Sequence, residues 1–268
     1  MNELTLDELK KIEFDILKHF DAFCKEHNIR YFLAYGTLLG AIRYKKFIPW
    51  DDDVDVLVPR EDYERLLKIY EDNAQYKLFA FEKDGKFHYP FAKLCDMTTR
   101  KVLPEFRRSD AIPGVEIDIF PLDCFHSNYE KAQKEARSIS RDMLLLQASE
   151  YKESPIKKGP KALLWKLMSF YARMRKSQHF NKKIVKKSKA HHQDHPTFVG
   201  SKSWCIYGER GIIPAEAFAD VTYVEFEGEM FPAPKGYDTY LTCLYGDYLP
   251  EPPKEKQKTN HSFKAYKL

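Results

Sequence analysis

The chain has 268 residues, 44 Lys and Arg against 40 Asp and Glu, 43% apolar and 15% aromatic residues. That length buries one large core or two modest ones without a disulfide staple, and abundant aromatics with near-balanced charge exclude a disordered chain. No apolar run approaches the roughly 18 residues of a membrane-spanning helix, and acids run through the first thirty residues. No export signal is visible, so the expectation is a cytoplasmic protein.

Thr5-Leu6-Asp7-Glu8 fits a capping box, and Leu9, Ile12, Ile16, Phe20 and Phe23 follow at helical spacing, so the first element is a helix over 5–27. The segment 30–35 reads as a strand, Gly36 as a turn and 37–43 as a helix opening directly after it. A second strand over 54–58 stops at Pro59, and a helix follows over 61–72. Segments 76–81, 87–94 and 115–120 read as strands, the last closed by Pro121. Helices are expected over 128–147 and 161–176, a strand over 222–226, a short helix over 237–245 and an irregular tail beyond Tyr248. The fold class is mixed α/β (α+β), in three parts: a core over 1–127, a helical basic segment over 128–200, and a stretch over 201–268 that packs back on the core.

Charge is uneven along the chain. Residues 152–189 hold 13 Lys and Arg against one acid, Glu153; this segment carries +12 of a total of +4, leaving −8 for the remainder. The five cysteines, Cys24, Cys95, Cys124, Cys205 and Cys243, show no zinc-ligand spacing and read as reduced thiols, mostly in the core.

The run Pro49-Trp50-Asp51-Asp52-Asp53-Val54-Asp55-Val56-Leu57-Val58 carries the most chemistry. Alternate side chains of a strand share a face, which puts Asp53 and Asp55 together and Val54, Val56 and Val58 beneath. Carboxylates about 7 Å apart along a strand repel and raise one another's pKa unless a cation lies between them. Hard divalent ions relieve this, Mg²⁺ above all where a phosphate supplies further ligands, with Mn²⁺ as a substitute. A solvated acidic turn is the competing reading. Against it stands a second acid-bearing strand, Val115-Glu116-Ile117-Asp118-Ile119, in which Glu116 and Asp118 share one face. If the two strands are neighbours, Asp118 completes a cluster suited to two-metal phosphoryl displacement, or serves as general base for an acceptor hydroxyl. Asp118 is favoured over Glu116 as the ligand, with Asp123 third. On the phosphate side, Gly36 and Thr37 mark a helix N-terminus whose free N–H groups suit an anion, and Arg43, Lys45 and Lys46 bring positive charge nearby.

A glycine–hydroxyl turn, then Asp-apolar-Asp-apolar, then an acid on a later strand is similar to the DNA polymerase β-like nucleotidyltransferase superfamily. More narrowly, residues 35–60 with Glu116-Ile117-Asp118-Ile119-Phe120-Pro121-Leu122-Asp123 resemble the LicD family, relatives of fukutin, and the tail from Tyr245-Gly246-Asp247 through the paired prolines to His261 resembles that family's ending. The likeness covers residues 20–123 and implies a nucleotidyltransferase core with a mixed sheet, a helical insertion and a C-terminal β segment. It implies metal-dependent transfer of phosphorylcholine from CDP-choline to a sugar hydroxyl of a teichoic acid or lipopolysaccharide precursor. Matched residue by residue, Gly36 and Thr37 are the turn, Asp53 and Asp55 the paired metal ligands and Asp118 the third acid. Asp51 and Asp52 belong to the same motif without a defined role. Tyr44 and Lys46 stand where the family pattern has His and Gly.

Further candidates remain. Lys93 is read as neutralising donor phosphate or as a surface lysine. Asp247 and His261 are read as closing over the site, or, for His261, as lying in solvent. A choline head requires an aromatic wall, for which Trp50, Trp204 and Tyr207 are candidates. His191, His192 and His195 read as exposed helix-end residues rather than metal ligands. Leu163, Leu164, Leu167, Phe170, Tyr171 and Met174 form one apolar side of a helix interspersed with Lys161, Lys166, Arg173, Arg175 and Lys176. That side either packs on the core or rests at the inner membrane face on anionic lipid. Two other readings keep apart from the leading one: nucleotidyl transfer from an NTP to a small hydroxyl compound, releasing pyrophosphate, and a non-catalytic module that binds anionic membrane or nucleic acid through residues 152–189. The leading reading has no nucleic-acid partner.

Overall fold

In the computed structural model, which describes residues 2–108, 110–153, 158–191, 195–259 and 263–268, Thr5 caps helix α1 (Leu6–Glu26). Its hydroxyl accepts from the Glu8 N–H while the Glu8 carboxylate accepts from the Thr5 N–H. Leu9, Ile16, Leu17, Phe20 and Cys24 form the buried stripe of this helix, which packs on the central sheet.

The sheet has the order β1 (Phe32–Leu33), β2 (Asp55–Pro59), β6 (Val115–Cys124), β4 (Ala92–Asp96) and β3 (Tyr76–Phe79). The β2–β6 pair is parallel and the others antiparallel. The sheet continues from the end of β6 through β7 (Phe198–Gly200) and β8 (Ile213–Pro214). Helix α2 (Tyr35–Tyr44) joins β1 to β2, starting two residues earlier than its apolar spacing predicts. Helices α3 (Arg60–Ile69) and α4 (Phe81–Asp84) join β2, β3 and β4.

Two strand limits differ from expectation for reasons of hydrogen bonding. The segment 87–94 pairs only from Ala92 onward, because Pro90 has no N–H to give a ladder. Strand β6, by contrast, runs straight through Pro121. The Asp118 N–H donates to Val54 O, so residues two apart point to β2 and Pro121 faces the other side. There β4 has already ended and β7 begins only opposite Asp123, so the missing donor costs nothing.

Past β6, helix α5 (Tyr129–Glu150) is capped by the Asn128 side chain and runs three residues beyond its predicted end. Helix α6 (Pro160–Arg175) follows, then α7 (Ser177–Ser188), a helix the sequence reading leaves out because its buried residues are sparse among lysines. Together with Phe125 they enclose a second core, of Ile139, Met143, Leu146, Trp165, Phe180 and Ile184. The predicted strand near 222–226 is β9 (Val221–Phe226), and it has an unforeseen partner, β10 (Glu229–Pro234). Their two-residue turn, Glu227-Gly228, takes positive φ at both positions. Prolines 232 and 234 mask the strand signal but are tolerated in a two-stranded hairpin. Helix α8 (Tyr237–Tyr245) lies where predicted, and Phe226, Phe231, Tyr240 and Leu244 join the main core. The tail is not wholly irregular: β11 (Lys264–Lys267) pairs with β5 (Thr99–Val102).

Cys24, Cys95 and Cys205 are buried, Cys124 and Cys243 half-buried, and none of the five forms a disulfide. Among the described residues no helix is long and apolar enough to cross a membrane.

Candidate active site

The parallel register sets Asp55 directly opposite Asp118, and the antiparallel register on the other side sets Lys93 opposite Asp118. Directly paired residues present side chains to the same face. Asp55, Asp118 and Lys93 therefore form one row across three adjacent strands. Two residues toward the N-terminal end of β6, Glu116 continues the charged face. Two residues the other way, Phe120 turns the same face aromatic: its ring lies 4.4 Å from Phe91 and 5.5 Å from Tyr35.

Each acid is held locally. The Asp55 N–H donates to the Thr37 hydroxyl at 2.8 Å, so the second turn residue of the motif fixes the strand that carries the acid. Gly36 serves Asp51: a Cβ on residue 36 would stand 2.6 Å from Asp51 Oδ2. Tyr35, before it, takes φ of 43°, a left-handed backbone uncommon for a bulky residue. Its N–H donates to the Tyr240 hydroxyl at 3.3 Å and its ring stacks on Tyr207 at 5.5 Å.

Lys93 is buried. Its ammonium donates to Asp118 Oδ1 in a close ion pair and to Glu116 Oε1 at 3.2 Å. Burial opposes its charge, but Asp118 and Glu116 outweigh that and hold its pKa above the ordinary lysine value. Lys101 adds a second cation on Glu116 Oε1 at 2.7 Å, and Glu116 is held below its ordinary pKa despite burial, by Lys101 and Lys93. Asp55 behaves in the opposite sense. Burial, then the charges of Asp53, Asp118 and Asp51, push its pKa well above the usual carboxylate range, against the opposing charge of Lys93. Burial likewise raises Asp118 against the pull of Lys93.

Beside the row lies a cavity of about 230 Å³. Asp53, Glu116, Asp118, Lys93 and Lys101 meet it on the charged side; Tyr89, Phe91, Phe106, Tyr151, Trp204 and Phe263 form an aromatic wall. Trp204 stands edge-on to Phe91 at 5.2 Å. Lys93 Nζ lies 4.7 Å from the Tyr89 ring centroid, so a cation already rests against this wall.

The other sequence candidates divide. Trp204 lines the cavity, whereas Tyr207 packs behind it, with its hydroxyl 3.0 Å from that of Tyr245. Trp50 is half-buried against the main core and does not line the cavity. Arg43 donates to Pro250 O at 2.7 Å and Tyr44 to Glu251 at 2.8 Å, so the far end of α2 pins the tail rather than reaching the acid row. Lys45 pairs with Glu225 at the surface, and Lys46 and Asp247 are exposed. Asp123 binds Arg60 at 2.7 Å, away from the row. His261 and His192 lie outside the described residues; Phe263 nevertheless brings the tail to the cavity, under Lys101 at 3.7 Å. His191 lies 3.6 Å from Glu135 and His195 is exposed.

Glu13 escaped the sequence reading. It is buried on α1 and lines the cavity with Asp53, its Oε2 has no hydrogen-bond partner among the described residues, and burial raises its pKa well above the usual range. The signal was present: Glu13 sits one turn after Leu9 and one before Ile16 and Leu17, inside the apolar stripe. Lys101 and Tyr89 gave no comparable signal.

Among the described residues no three His, Cys, Asp or Glu side chains are gathered closely enough to hold a metal ion by themselves. Lys93 holds Asp118 on one side, while Asp55 stays strained by neighbouring negative charge. Mg²⁺ is commonly held by one or two carboxylates completed by substrate phosphates and water. The hard oxygen donors of Asp53, Asp55 and Asp118 fit that chemistry.

A family model described as the LicD/FKTN/FKRP nucleotidyltransferase domain matches residues 28–154. A curated relative, the lipopolysaccharide cholinephosphotransferase LicD of Haemophilus influenzae, is 34% identical over 285 residues, covering the whole of both chains. An uncharacterized protein of Rickettsia typhi is 27% identical over 116 residues, 43% of this chain and 35% of its own. Another from Rickettsia prowazekii is 38% identical over 56 residues, 21% of each chain.

Proposed function

The chain belongs to the LicD family, and from that membership we propose that it moves phosphorylcholine from CDP-choline to a hydroxyl of a teichoic acid or lipopolysaccharide glycan precursor, releasing CMP. The observation that carries this reading is the row of Asp55, Asp118 and Lys93 in register across three strands, of which Asp118 and Lys93 line an aromatic-walled cavity. Acids and a cation in one row suit a phosphoryl centre, and the aromatic wall suits a quaternary ammonium, which offers no hydrogen-bond donor.

In this reading the choline head lies against Tyr89, Phe91 and Trp204, with its phosphate toward Lys93. Lys93 and Lys101 supply fixed positive charge that needs no reorganisation as the reaction proceeds. A hard divalent cation held by Asp53, Asp55 and Asp118 would neutralise diphosphate charge and stabilise the departing CMP. The acceptor hydroxyl attacks the choline-bearing phosphorus in line with the bond to CMP. A new O–P bond forms as that bond breaks, and the hydroxyl proton passes to Asp118, the acid that lines the cavity beside Lys93. Thr37 and Gly36 keep Asp55 and Asp51 in place throughout.

The test is a donor screen. Purified protein with Mg²⁺ is given CDP-choline, CDP-ribitol or an NTP with teichoic or lipopolysaccharide oligosaccharide acceptors, and CMP, pyrophosphate and acceptor mass are followed. CMP release from CDP-choline with a phosphorylcholine mass gain on the acceptor is expected. Consumption of an NTP with pyrophosphate release, and no CMP from either CDP-alcohol, replaces this reading with nucleotidyl transfer.

A further inference from the structure

Helix α6 has two apolar faces. Ala162, Trp165, Ser169 and Ala172 point inward and pack on α5, filling the place a core-facing stripe should take. The residues the sequence offers as that stripe, Leu163, Leu164, Leu167, Phe170, Tyr171 and Met174, all face solvent, from 46% exposed at Tyr171 to 71% at Met174. At about 100° per residue they cover roughly one third of the helix circumference as a single arc. Lys166 and Arg173 border this arc on one flank, and Lys161 and Arg175 on the other. Among the described residues Lys161, Lys166, Arg175 and Lys176 have no carboxylate partner, and residues 152–189 contain one acid.

We infer that the outer face of α6 is a docking surface for an anionic lipid bilayer, with the apolar arc entering the headgroup boundary and the flanking basic residues reaching lipid phosphates. Charge decides between occupants. A twofold contact of this face with a second copy would bring two arginine- and lysine-bordered arcs together. Nucleic acid offers phosphates for the basic residues but no apolar phase for an arc of leucine, methionine and phenylalanine. An anionic bilayer satisfies both. The surface also borders the cavity: Arg173 donates to Tyr151 O at 2.9 Å, and Tyr151 lines the aromatic wall. Docking through α6 therefore holds the cavity close to the membrane surface. This inference stands on exposure and charge and does not depend on the donor or acceptor.

The full chain is sedimented with phosphatidylcholine vesicles with and without phosphatidylglycerol, over a range of salt. Binding to the anionic vesicles is expected, falling as salt rises. The double variant Leu167→Glu/Phe170→Glu should lose at least about tenfold in partitioning, and Lys161→Gln or Lys166→Gln about fivefold each. Both lie on the solvent face, so thermal unfolding should stay at the parent midpoint. Absence of wild-type binding to anionic vesicles, or binding unchanged in the double variant, overturns the inference. So does light scattering that shows a dimer in the parent and a monomer in the double variant, which would assign the face to self-association.

Discussion

Asp55→Asn should stabilise the metal-free protein while abolishing turnover. Asp55 and Asp118 face each other across paired strands about 4.8 Å apart, a separation at which two unit charges at an effective dielectric of 20 repel by about 3.5 kcal/mol. The Lys93 ion pair on Asp118 cancels part of this, while Asp53 and Asp51 add to it. A net gain of about 1–2 kcal/mol for the neutral isostere corresponds to a Tm rise of roughly 2–6 °C in a chain of this size. The dependence on pH has a definite sign. Burial and neighbouring acids raise the folded-state pKa of Asp55, so the stability tied to its proton is full below about pH 4 and is lost as pH rises through the folded value. The advantage of the variant over the parent should grow as pH rises from about 4 through the raised folded-state value. Adding Mg²⁺ should reverse the order, since a ligand at about a hundred times its Kd stabilises the parent by about 2.7 kcal/mol and the variant has lost a donor. Differential scanning fluorimetry in EDTA and in Mg²⁺, with CMP release alongside, reads all of this. A lower Tm for Asp55→Asn in EDTA, or equal Mg²⁺ shifts for both proteins, would refute the electrostatic reasoning.

Other perturbations separate holding from chemistry. Lys93→Met removes the cation shared by Glu116 and Asp118; thermal denaturation should show a loss of about 3–5 kcal/mol, and Lys93→Arg should recover only part of the activity. Thr37→Val leaves the buried Asp55 N–H without its acceptor, for a loss of about 1–3 kcal/mol and a fall in kcat, both measurable on purified protein. Trp204→Leu or Tyr89→Leu should raise KM for the choline donor by about 3- to 30-fold while leaving KM for the acceptor unchanged. Gly36→Ala must displace the Asp51 carboxylate, and kinetics should show kcat falling with little change in Tm if Asp51 serves the site rather than the fold.

Period-two alternation made the acid faces of β2 and β6 legible, because it is a property of the extended backbone wherever the strand lies. Thr5 and Glu8 marked the start of α1, and Gly36-Thr37 marked a break before α2, for the same reason: caps and turns act within a few residues. Glu13 shows the boundary of such reasoning, since its place in an apolar stripe was visible but what it faces was not.

Which strands become neighbours, and at which register, rests on contacts between residues far apart in sequence. Asp55 meets Asp118 at a sequence separation of 63, and Lys93 enters the row only because β4 lies on the other side of β6. Pro121 ends a strand by its own chemistry but not in this sheet, where its nitrogen faces a gap. The basic helix carried two apolar faces from the outset, and only packing against α5 decided that the smaller residues go inward and the leucines outward. Local periodicity belongs to the chain itself; register and burial belong to the partners that tertiary packing supplies.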